Sequence, residues 1–106
     1  LGFRDMDIGH IIENVVYFEL IRRGYDVAIG KVGDKEVDFI AINAEEKKYI
    51  QITETMNDPA TRERELAPLK AIRDNYEKIV IASDIDHLFT QEGFKMVKLI
   101  DFLLNS

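Results

Sequence analysis

Lys47-Lys48-Tyr49-Ile50-Gln51-Ile52-Thr53-Glu54, then Asn57-Asp58-Pro59, then Lys78-Ile79-Val80-Ile81-Ala82: this stretch decides the fold. Its first and last segments are rich in β-branched and aromatic residues and read as strands. Between them Asp58 reads as an N-cap and Pro59 as the first helical residue. An aspartate oxygen can hold the orphan amides of a first turn, and proline has no amide hydrogen to lose there. Strand, helix and strand imply a right-handed crossover and a parallel pair, the third strand of the chain beside the fourth. The helix carries Leu66, Leu69, Ile72 and Tyr76 on one side, with Pro68 inside it. Proline removes a backbone bond and clashes with the preceding turn, so a kink near Arg64 to Pro68, or two abutting helices, is predicted.

Outward from this unit, Tyr25 to Val32 and Glu36 to Asn43 read as two further strands, joined at Gly33-Asp34 and followed by a turn over Ala44 to Glu46. Connections this short make Tyr25–Val32, Glu36–Asn43 and Lys47–Glu54 an antiparallel meander. Asp7 to Arg23 reads as the opening helix, with Ile8, Ile11, Ile12, Val15 and Phe18 at helical spacing as its main apolar stripe. Gly24 stands where a C′ glycine ends a helix, and Arg22 and Arg23 complement the negative end of its dipole. Glu19 falls near the middle of the stripe, which asks for a salt bridge to Arg22 or Arg23. Ser83 to Gly93 reads as a polar loop, Phe94 to Leu99 as a last edge strand, and Ile100 to Leu104 as a short helix. The order α-β-β-β-α-β, with a β-α tail, predicts one α/β domain over residues 1–106 with a mixed sheet of four or five strands.

Composition sets the outer limits. A chain of 106 residues is enough for one domain and too short for two. With 46% hydrophobic residues, six Phe and four Tyr it can fill a core, which excludes disorder. There is no cysteine, so disulfides, thiolate nucleophiles and cysteine-based zinc sites are excluded. No apolar run approaches the ~18 residues of a membrane span and no signal peptide is visible, which points to a cytoplasmic protein with no membrane partner. The net charge of −6 argues against a dedicated nucleic-acid binder and leaves room for a local basic patch. Leu1-Gly2-Phe3-Arg4 contains no initiator methionine, which suggests a fragment of something longer.

Three polar residues interrupt apolar elements. Asp38, in Val37-Asp38-Phe39-Ile40-Ala41-Ile42, alternates onto the face of Ile40 and Ile42. A carboxylate there is either solvated or bridged to a lysine at the strand's open end, or it is a metal ligand. Gln51 lies mid-strand with Thr53 on the same face, as a hydrogen-bonding group within the sheet or as part of a site. Glu13 lies off the main stripe of the first helix, nearer Val16 and Leu20, a flank position open to solvent. Arg62 and Arg64 alternate with Glu63 and Glu65, as a solvated face of mutual ion pairs or as a grip on phosphate. His10 and His87 read as surface histidines, and Asp84 with Asp86 lacks any calcium-loop pattern around it.

Glu13 on the opening helix, Asp38 on the second strand and Gln51 thirteen residues on resemble the PD-(D/E)XK nuclease fold. The resemblance implies a restriction-endonuclease-like core in which Asp38 and Gln51, with the carbonyl of Ile52, face a divalent metal, Mg²⁺ or Mn²⁺. Glu13 would add a ligand or orient water, and Thr53 takes the place of the lysine that positions the attacking water. Thr53 carries no charge, and loss of such a group commonly costs about 10²–10³ in rate. Gln51 in place of an acid also weakens a site for Mg²⁺, which favours carboxylate oxygens. Both departures point to an inactive or reassigned site, unless a lysine such as Lys31, Lys35, Lys47 or Lys70 has moved into it.

A closer resemblance covers residues 8–104. Glu13-Asn14-Val15-Val16-Tyr17-Phe18-Glu19-Leu20, Arg23-Gly24-Tyr25-Asp26-Val27, Glu36-Val37-Asp38-Phe39-Ile40-Ala41, Tyr49-Ile50-Gln51-Ile52-Thr53 and Thr61-Arg62-Glu63-Arg64-Glu65 to Pro68-Leu69 are similar to the C-terminal domain of a group of bacterial and archaeal AAA-type ATPases. That implies an N-terminal ATPase module as partner in the same chain. No Walker A sequence occurs within these residues, so the ATPase lies outside them. The expectation is a non-catalytic interaction or regulatory module attached to that ATPase. The alternative is a metal-dependent DNA or RNA nuclease with a rearranged site.

Overall fold

The computed structural model describes residues 5–32, 34–85, 90–91 and 93–105. Asp86 and His87 lie outside the described residues, as does the side chain of Lys35. The elements run α1 (Asp5–Arg22), β1 (Asp26–Val32), β2 (Lys35–Ile42), β3 (Lys47–Thr55), α2 (Pro59–Lys70), β4 (Glu77–Asp84), β5 (Thr90–Gln91), β6 (Phe94–Lys98) and α3 (Leu99–Leu104). The chain folds as a mixed α/β domain around one sheet in the order β1-β2-β3-β4-β6-β5. The meander β1-β2-β3 is antiparallel, and β3-β4 and β4-β6 are parallel. Five strands carry the sheet, and a two-residue β5 borders β6. No described helix is long and apolar enough to cross a membrane.

Local chemistry explains the element ends. Gly24 adopts φ 91°, the left-handed conformation that side chains disfavour. There the Tyr25 N–H donates to Leu20 O at 3.1 Å and the Gly24 N–H to Ile21 O at 3.0 Å, a Schellman closure of α1. Asp58 caps α2 as expected: its Oδ2 accepts the Thr61 N–H at 3.0 Å and the Thr61 hydroxyl at 2.9 Å.

Two features of the C-terminal half differ from the sequence reading. α2 runs unbroken and stops at Lys70, so Ile72 and Tyr76 lie beyond it and Pro68 sits in its last turn. The Ala71 and Ile72 amides close that turn onto Pro68 O and Leu69 O, both at 3.2 Å, in the tighter three-residue pattern of a fraying end. The expected pair of abutting helices is thus a single helix with Pro68 two residues before its end. β4 extends to Asp84, and β6 is no edge strand because β5, inside the expected loop, pairs with it.

The sheet is covered on both faces. On one side Val37, Tyr49, Val80, Ala82 and Met96 pack with Leu66 and Leu69 of α2. On the other Ala41, Ile50, Ile52, Ile79 and Ile81 pack with Ile12, Val16 and Leu20 of α1. Strict alternation along β3 and β4 sends successive residues to opposite cores, as a strand buried on two faces requires. Here α1 departs from expectation. Its fully buried stripe is Ile12, Val16 and Leu20, whereas Ile11, Val15 and Phe18 of the expected stripe face outward.

Candidate functional site

The site begins with an irregularity in β2. Ala28 pairs with Ile40 and Gly30 with Val37, so Asp38 and Phe39 together oppose the single residue Ile29. This is a β-bulge, which re-aims a side chain and interrupts pairing. Val37 and Ile40 consequently reach the same core, three residues apart. Gly30 lets β1 close over the bulge: a Cβ there would stand 2.7 Å from Ile40 Cδ1 and Cγ1.

The regular pairing of β2 with β3 runs from Ile42–Lys47 to Phe39–Ile50 and stops at Asp38. Side chains take over from that point. The Asp38 N–H donates to Gln51 Oε1 at 2.8 Å, and the Ile52 N–H donates to Asp38 Oδ2 at 2.8 Å. Each side chain thus satisfies an amide of the opposite strand. Gln51 Nε2 in turn donates to the Glu65 carbonyl at 3.0 Å and reaches Glu65 Oε2 at 3.5 Å, tying β3 to α2. Gln51 is 4% exposed and is the only polar residue in the described core. No buried side-chain nitrogen or oxygen among the described residues lacks a partner.

The electrostatics are one-sided. Burial pushes the Asp38 carboxyl up to about 6, opposed by the Ile52 amide and reinforced by the negative charges of Glu13 and Glu36. Burial pushes Glu65 up to about 7, with Asp38 and Glu13 adding to the rise and Arg64 opposing it. Three acids from three elements, Glu13, Asp38 and Glu65, therefore feel one another. Glu13 takes part through its field: its side chain is 39% exposed and its ion-pair neighbour is His10, at 3.8 Å.

The candidates singled out in the sequence divide accordingly. Asp38 and Gln51 are brought into one hydrogen-bonded cluster, and Glu13 lies within electrostatic reach of it. Asp38 is half-buried and holds a backbone amide, and among the described residues it makes no ion pair with a lysine. Thr53 stands aside, its hydroxyl donating to Thr55 O at 3.3 Å. Ile52 contributes its N–H to Asp38 while its side chain is buried on the α1 side. Lys31 and Lys70 are exposed and Lys47 lies over the Tyr49 and Tyr76 rings. None of the three is among the charges acting on Asp38. Arg62 spends its Nε on the Met56 carbonyl at 3.1 Å. Glu19 makes both expected bridges, to Arg22 at 2.7 Å and Arg23 at 2.6 Å, which hold its carboxyl down at about 2.

Glu65 was the residue missed. Alternation with Arg62 to Arg64 suggests a solvated face, yet Glu65 is half-buried. A signal existed: it precedes Pro68 and Leu69, both buried, by three and four positions, which places it on their side of the helix.

These residues do not fit the divalent cation that the nuclease resemblance implies. A hard cation wants several free oxygen ligands, most of them charged. Gln51 is neutral, its oxygen is taken by the Asp38 amide, and one Asp38 oxygen is taken by the Ile52 amide. Among the described residues no three His, Asp or Glu side chains are grouped to hold a metal. A cavity of about 580 Å³ lies away from the cluster, lined by Arg23, Lys48, Lys95, Glu77 and Asp101 together with Leu20 and Ile79.

No family model matches this sequence. Over 104 residues it is 35% identical to an uncharacterized protein of Haemophilus influenzae, across 98% of this chain and 25% of that protein. The chain thus spans about a quarter of the length of the curated relative it matches.

Proposed function

We propose that this chain is a restriction-endonuclease-like domain whose former site now serves the architecture of the sheet, and that it acts as a non-catalytic interaction or regulatory module within a longer, ATPase-bearing polypeptide. The fold reading draws on the order α1-β1-β2-β3-α2-β4, with an antiparallel meander followed by a parallel β3-β4 pair. It also draws on the gathering of Asp38 and Gln51 within reach of Glu13. The observation that carries the functional reading is the pair of side-chain clasps in which Gln51 accepts the Asp38 N–H and Asp38 accepts the Ile52 N–H. One Asp38 oxygen and the Gln51 amide oxygen, which a nuclease would turn toward a metal, instead accept backbone N–H groups, and a threonine stands where an activating lysine would. Hydrolysis of a phosphodiester needs an activated water and charge stabilisation at the developing transition state, and this cluster joins carboxyl groups to a neutral amide with no lysine among the charges acting on Asp38. The length of the Haemophilus relative leaves room for the remaining modules.

The test is a pair of measurements on the purified chain. Titration with Mg²⁺ and Mn²⁺ by calorimetry is expected to give no saturable heat below the millimolar range. Single-stranded, duplex and branched DNA and RNA are expected to survive incubation with either ion. Cleavage that vanishes in Asp38→Ala overturns the proposal in favour of a rearranged nuclease.

A further inference from the structure

Only part of the apolar stripe that the sequence marks on α1, Ile8 and Ile12, packs into the domain. Ile12, Val16 and Leu20 fill the core. On the opposite side of the helix Ile11, Val15 and Phe18 stand outward at 46%, 37% and 68% exposure, with Ile21 beside them at 45%. A helix that is apolar on two opposite sides belongs between two layers. Scattered surface hydrophobics need no explanation, but these repeat at spacings of four and three over three turns, the spacing of a helix-packing seam. Among the described side chains the line continues into Arg22, which is already paired with Glu19, and Asn14 is the polar residue between Ile11 and Phe18 on this face. The stripe is narrow and long, which suits a second helix better than a small molecule.

We infer that the outer face of α1, Ile11, Val15, Phe18 and Ile21, is a docking surface for an apolar helix from the remainder of the longer polypeptide. The occupant follows from the comparison: three quarters of the Haemophilus relative lies outside the matched region, and nearly all of this chain lies within it. A contact made once, in the same polypeptide, needs no strong self-affinity and leaves the isolated piece with an uncovered face. This deepens the reading of the chain as an interaction module and rests on it, but not on the chemistry of Asp38.

Phe18→Glu is the variant of choice, because its side chain is mostly outside the domain's own core. In the isolated 106-residue chain it is expected to leave the circular-dichroism spectrum and thermal midpoint unchanged. In the full-length polypeptide it is expected to lower the midpoint and to speed protease cleavage at the domain junction severalfold. Phe18→Leu, which keeps an apolar side chain, restores both. Indifference of the full-length protein to Phe18→Glu overturns the inference, as does a full-length protein no longer than this domain. So does an isolated chain that sediments as a dimer and becomes a monomer on Phe18→Glu, since the face would then serve a second copy. Nuclease activity at Asp38 would sink the preceding proposal while leaving these outcomes readable.

Discussion

β2 and β3 are joined in two different ways along their length. From Phe39 to Ile42 the backbones pair directly, as any two antiparallel strands can. At Asp38 the backbones part, and two side chains reach across to do what amides and carbonyls do elsewhere. The first mode depends on the chain being extended and apolar, so many sequences satisfy it. The second depends on two particular functional groups at a bulge, so few do. Stability should therefore be insensitive to exchange in one half of the seam and sensitive in the other.

The largest effect is expected at Gln51. Replacing it with Ala strands the Asp38 amide, removes the tie to α2 and leaves a void, and should cost about 2–4 kcal/mol in urea unfolding. A loss under about 0.5 kcal/mol, the size of a surface substitution, would show that the clasp is ornamental.

pH comes next. Asp38 and Glu65 bind their protons more tightly folded than unfolded, so stability falls as pH rises from their ordinary values, 3.8 and 4.5, through about 6 and about 7. Glu19 works in the opposite sense, but its contribution is lost only as pH falls from 4.5 toward about 2. From these three groups the domain should be most stable at about pH 4 and lose about 1–3 kcal/mol between pH 5 and pH 8, a figure already reduced for partial exposure of both acids. A denaturation midpoint that climbs between pH 5 and pH 8 would contradict the one-sided cluster.

Gly30→Ala should follow, at about 1–2 kcal/mol, because its methyl group meets Ile40 over the bulge. Asp38→Asn sharpens the comparison further. Its amide oxygen can still accept the Ile52 N–H, so at pH 8 it should add about 1 kcal/mol by removing a disfavoured charge, and near pH 5 the gain should shrink toward zero. Destabilisation at both pH values would show that the charge itself is needed. Smallest of all, Ile42→Thr in the directly paired half, at a 42% exposed position, should stay within about 0.5 kcal/mol.

What the sequence discloses follows the same division. Directly paired strands, the Asp58 cap, the Gly24 stop and the parallel crossover are local or periodic signals, and all four appear in the structure. Asp38 and Gln51 are legible as anomalies because each is a polar group within an apolar strand. What each bonds to depends on the bulge, and a bulge exists only once two strands are in register. Glu65 is only half legible: its spacing from Leu69 marks the inner side of α2, while its tie to Gln51 comes from another element. Both sides of α1 carry apolar residues at helical spacing, so packing is what selects Ile12, Val16 and Leu20 as the inner ones.

The two rims of the sheet are unequal. One ends in a strand of two residues, too short to template anything. The other is β1, seven residues long, bearing Ile29 at 70% exposure with Asp26 and Lys31 as its charged neighbours along the strand. During refolding at high concentration, recruitment of foreign strands should start at β1, and a lysine introduced at Ile29 is the economical way to keep the protein from clumping.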